Sequence, residues 1–144
     1  MIHKLVLSNT LAFLLLSILS FNSNAQITPI EISNKFFSIY KEVGSNQAVD
    51  YLFSTNHYSA DSKSEIESIK AKLYESAPSF GQFSGYELIS TKMGGKDLEL
   101  LTFIVKFDRL PLIFKLLFYK PGIDWRIQNF IFNTETDSVF STKD

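Results

Sequence analysis

The chain has 144 residues, 14 Lys and Arg against 15 Asp and Glu, a formal charge of −1, and no cysteine. Absence of cysteine excludes disulfides and thiolate metal sites, so stability has to come from a packed core. Only two basic residues, Arg109 and Arg126, are arginines and they are scattered, which argues against a nucleic-acid surface.

The first 25 residues differ from the rest of the chain. His3 and Lys4 give a short basic start, Leu11 to Phe21 is apolar except for Ser17 and Ser20, and Ser23 with Ala25 occupies the −3 and −1 places of a signal-peptidase site. This pattern predicts a signal peptide over 1–25, cleavage before Gln26, and an exported protein, periplasmic or secreted. The apolar core is too short for a permanent span of roughly 20 residues. One domain is then expected over 26–134, followed by a polar tail over 135–144.

Thr28, Pro29 and Glu31 open the first predicted helix as a capping box with proline in the first turn. Ile32, Phe36, Ile39, Tyr40 and Val43 recur at helical spacing, and Gly44 supplies the stop. A second helix is expected to be capped by Ser45 or Asn46 and to bury Val49, Leu52 and Phe53. Ser62 and Glu65 suggest another capping box before a third, with Ile66, Ile69, Leu73 and Ala77 inward, Lys70 in water, and Pro78 with Gly81 at its end.

Beyond Gly85 the period changes to two. Strands are predicted over 86–93, 97–109 and 111–120, with a fourth carrying Trp125, Ile127, Phe130 and Phe132. The apolar parity slips between Ile127 and Phe130, which predicts a bulge near Gln128 or Asn129. Three helices followed by four antiparallel strands give an α+β fold, a curved meander wrapped over the helices. The tail beyond Asn133 is expected to fray.

Sorting the strands by face puts Leu101, Phe103, Val105, Phe107, Leu112, Phe114, Leu116 and Phe118 inward. The opposite face carries Leu100, Ile104, Ile113, Leu117 and Tyr119 beside Lys106 and Lys115, greasy enough to suggest pairing with a second copy or cover by the tail. The polar candidates are few. Lys106, Asp108 and Arg109 crowd one strand end, where they suit either a substrate-orienting group or a solvated turn. His57, the one histidine after residue 25, has no carboxylate or nucleophile at a spacing that implies a dyad. Neither a metal site nor a cofactor is implied.

The closing run PGIDWRIQNFIF, with Asp124, Trp125, Arg126 and Ile127 after a turn, resembles the nuclear-transport-factor-2-like superfamily. NQAVDYLFSTN, GYELI, IVKFDRLPL and FYKPGIDWRI are similar to small exported bacterial members without an assigned activity. The resemblance implies a cystatin-like cone. Enzymes of that superfamily, such as ketosteroid isomerases and scytalone dehydratases, project acids and bases into the cone, whereas the inward positions here are apolar, so no catalytic residue carries over. The expected function is a noncatalytic binding or interaction module with an envelope protein or apolar ligand as partner. The alternatives are a small isomerase or dehydratase and an apolar-ligand carrier.

Overall fold

The computed structural model describes residues 26–140, so the predicted signal peptide lies outside the described residues. Helices α1 (Pro29–Glu42), α2 (Ser45–Ser54) and α3 (Lys63–Phe80) precede strands β1 (Phe83–Met93), β2 (Leu98–Phe107), β3 (Leu112–Tyr119) and β4 (Arg126–Asn133), and a short α4 (Asp137–Phe140) follows. The four strands form one antiparallel sheet in chain order. The fold is α+β with an open sheet.

The start of α1 forms as its sequence dictates. The Thr28 amide donates to Glu31 Oε2 at 2.8 Å and the Glu31 amide to Thr28 Oγ1 at 3.4 Å, which satisfies two of the donors a helix start leaves open. These bonds favour the charged carboxylate and hold Glu31 below its usual range. The buried stripe is broader than predicted: Phe37 and Ser33 turn inward with Ile32 and Phe36, while Val43 is exposed. Ser33 is tolerated there because its hydroxyl donates to Pro29 O at 2.8 Å.

Two predicted caps do not form. Neither Ser45 nor Asn46 caps α2, whose N-cap is Gly44 at φ +135°, and Ser62 makes no side-chain cap for α3. In each case the preceding backbone does the work: the Ala48 amide already reaches Gly44 O at 3.2 Å, and a 3₁₀ turn over Ser59–Ser62 runs directly into α3. Lys70, expected in water, instead places its Nζ 2.9 Å from Asp50 and 3.0 Å from Glu67, tying α3 to α2. Those carboxylate partners raise its pKa.

Helix α3 passes through Pro78 and ends at Phe80, which is buried. Strand β1 begins three residues earlier than predicted. The β2–β3 register runs unbroken from Leu98 opposite Tyr119 to Val105 opposite Leu112. Irregularities fall on the two outer strands, at Ser84 and Ile89 of β1 and at Gln128 of β4, where the parity slip predicts a bulge. Bulges on edge strands increase twist and discourage further pairing.

The core lies between the helices and one sheet face. Phe114 is its hub, with ring centroids 6.3 Å from Phe36, 6.0 Å from Phe37 and 5.1 Å from Phe130. Phe37 stacks on Tyr86 at 3.9 Å and meets the edge of Phe103. Seven of the eight inward strand positions are essentially without solvent contact, Phe107 being partly covered. Rings at these separations gain contact energy beyond their buried area, about 0.5–1.5 kcal/mol per pair.

Candidate functional site

The inward strand rows are apolar and packed, and two clusters of polar residues stand at the ends of the sheet. At one end of the sheet, the Asp108 carboxylate accepts the Gln82 amide at 2.6 Å, and the Asp108 amide donates to Gln82 O at 3.0 Å. Arg109 donates through its backbone amide to Phe80 O at 3.2 Å and through Nη1 to Pro78 O at 3.1 Å. Arg109 thus takes up two carbonyls at the end of α3 while Asp108 pairs with Gln82 just beyond it, and together they fix the turn into β1. Gly81 makes this possible. Its φ is +84°, and a Cβ there would collide with the Asp108 carboxylate.

An open hollow of about 580 Å³ lies over this corner, lined by Tyr74, Ala77, Pro78, Gly81, Gln82, Asp108 and Arg109. Its carboxylate and guanidinium each make a hydrogen bond to backbone and so position the turn. Lys106 does not join them. Its Nζ pairs with Glu87 at 3.1 Å in an exposed bridge across β1 and β2, of the kind worth about 0–1 kcal/mol.

The opposite end of the sheet is built differently. The β4 edge is sealed at one point, where Asn56 Nδ2 donates to Ile127 O at 2.9 Å and the Ile127 amide donates to Thr55 Oγ1 at 3.0 Å. This stapling holds the α2–α3 loop against β4. Beside it opens a hollow of about 660 Å³ lined by Gln26, Ile27, Ile32, Tyr51, Thr55, His57, Ile123, Asp124 and Trp125. Apolar side chains dominate its wall. Ile27 and Ile123 are 61% and 80% exposed.

His57 therefore sits at a hollow, as a single imidazole beside the Tyr58 ring at 5.0 Å. Asp124 lines the same wall. Burial raises the pKa of the Tyr51 hydroxyl, which keeps it neutral and suited to apolar surroundings. Trp125 carries Lys120 Nζ 5.1 Å from its ring centroid. Among the described residues, no three His, Cys, Asp or Glu side chains group so as to hold a metal ion.

The outer sheet face departs from expectation at Ile113, placed by parity on the exposed pairing surface but fully buried. Leu100, Ile104 and Leu117 are half-buried, and Tyr119 is 37% exposed. The end of the chain accounts for part of this cover. Ser138 and Val139 of α4 share a hollow of about 180 Å³ with Ile89, Leu100, Thr102 and Lys115, so the tail expected to fray instead forms a helical turn at this face.

Sequence reasoning missed Ile123 and Arg126. Ile123 had a signal, since a large aliphatic residue between Gly122 and Asp124 in a turn has no strand partner to bury it. Arg126 was absorbed into a fold signature. No family model matches the chain, and no curated protein or solved structure resembles it closely enough to inform its function.

Proposed function

We propose that this protein is a noncatalytic binding module whose receptive surface is the 660 Å³ apolar hollow formed by the start of α1, the end of α2 and the β3–β4 turn. The observation that carries this reading is the exposure of Ile27 and Ile123 in a hollow that Trp125 also lines. Hollows that take small ligands are largely apolar with a few polar groups for orientation, and fall in the range of about 300–1,000 Å³. Tyr51, His57 and Asp124 supply those polar groups.

The isomerase or dehydratase reading draws no support from the charged residues that the sequence singles out, because Asp108 and Arg109 are engaged with backbone at the other end of the sheet. The carrier reading fits the same hollow and becomes part of the proposal: the ligand is a small apolar molecule or the apolar side chain of a partner. The helices-first order and the three edge-strand bulges support a cone-like sheet of the nuclear-transport-factor-2-like kind. Export rests on the sequence pattern before Gln26, and no described helix is long and apolar enough to cross a membrane. Amino-terminal sequencing of protein from its own host should begin at Gln26; an intact Met1 would refute cleavage.

Trp125 is the sole tryptophan, so its fluorescence reports the hollow directly. Titration with 1-octanol should give a saturable change, weakened about tenfold in Ile123→Ser with an unchanged melting temperature. A response that is absent, or identical in Ile123→Ser, would overturn the assignment of this hollow.

A further inference from the structure

Arg126, the first residue of β4, has no ion pair or hydrogen bond from its guanidinium to any described residue, and its Nε is buried without a partner. Its guanidinium carbon instead lies 5.0 Å from the Tyr58 ring centroid and 5.6 Å from that of Tyr119. Both contacts hold the group through its charge and use none of its N–H donors. A buried N–H without an acceptor costs about 1–3 kcal/mol, and the guanidinium has no ionic partner among the described residues to offset it.

Arg126 lines a second hollow, of about 360 Å³, which is distinct from the Trp125 hollow and predominantly polar. Asp61 and Glu65 line it, from the 3₁₀ turn and the first turn of α3. Neither forms an ion pair with Arg126. One cation and two carboxylates thus border the same space without meeting, which suits a molecule bearing both charges better than a simple anion.

We propose that this hollow binds a small zwitterion of the amino-acid or short-peptide class. The carboxylate of the ligand accepts from the planar guanidinium, the geometry in which arginine binds most strongly, and its ammonium faces Asp61 and Glu65. Asn56 and Gln128 on the same wall offer amides for the peptide group. Simple carboxylates satisfy only half of the site.

The chain has two arginines, so their Nε–H resonances in a ¹⁵N-correlated spectrum are assigned by a single variant. Titration with glycylglycine should shift the Arg126 Nε–H saturably and leave that of Arg109 unmoved, with acetate and methylamine each binding at least about tenfold more weakly. Arg126→Gln should abolish binding. Asp61→Asn/Glu65→Gln should weaken glycylglycine about tenfold without weakening acetate, which loses two repelling neighbours. No saturable shift of the Arg126 resonance up to about 50 mM glycylglycine, or equal affinity for glycylglycine and acetate, would overturn the proposal in the unmodified protein, whatever the folding of the variants.

Discussion

The two ends of the sheet carry comparable charged and aromatic residues and use them in opposite ways. At the Asp108 end, carboxylate and guanidinium are taken up by backbone groups of the α3–β1 turn. At the Arg126 end, a guanidinium near two tyrosine rings has no such partner, and Ile27 and Ile123 are exposed in a separate hollow. What separates them is the local demand of the backbone. A helix that ends on a glycine and turns straight into a strand leaves amides and carbonyls that nearby charges must satisfy. The β3–β4 turn stays open to solvent, and the α2–α3 loop is held by Thr55 and Asn56 instead, so Arg126 remains available.

This contrast can be broken first at Gly81. Alanine there combines a positive φ with a collision against Asp108, and should lower unfolding free energy by about 2–3 kcal/mol in urea denaturation. A variant as stable as the parent would show that the corner is loose.

The second test uses Tyr40, whose ring packs against Phe83 and Phe107 near the same end. Burial pushes its pKa up to about 12. The folded state then keeps a proton that the unfolded state loses near pH 10, so stability is full below about pH 10 and falls as pH rises toward about 12. The loss should amount to about 2 kcal/mol, and Tyr40→Phe should remove that part of the pH dependence. An identical alkaline profile in the variant would contradict tight packing of Tyr40.

Smaller effects are expected where a single hydrogen bond is lost. Asp108→Ala should cost about 1 kcal/mol by leaving the Gln82 amide without its acceptor, and Thr28→Ala about the same through loss of the α1 cap. Arg126→Gln should cost less than Asp108→Ala, because it removes two aromatic contacts together with a buried N–H that has no acceptor, and the two changes oppose each other. If Arg126→Gln proved as damaging as Asp108→Ala in thermal melts, the two ends would be alike in how they use their charges.

Much of the fold was legible in the sequence. The Thr28 capping box, the alternation along β2 and β3 and the parity slip at Gln128 are local signals, each decided by a few neighbouring residues. The misses come from tertiary context. Ile113 alternates as an outward residue and does point away from the main core, but its outward position is itself covered. Ser62 and Glu65 spell a capping box that a preceding 3₁₀ turn makes unnecessary. The charged residues over 106–109 draw notice because they are polar, yet nothing in their spacing could reveal that Gln82, Phe80 and Pro78 lie within reach. Availability of a charge depends on what the fold brings to it.

The most direct test of the difference between the two ends is amide chemical-shift mapping of the ¹⁵N-labelled protein with 1-octanol. Saturable shifts should concentrate on Ile27, Tyr51, His57 and the stretch from Ile123 to Trp125, with Gly81, Gln82, Asp108 and Arg109 unmoved. Shifts centred on the Asp108 corner, or no saturable shifts at the Trp125 hollow, would contradict the account.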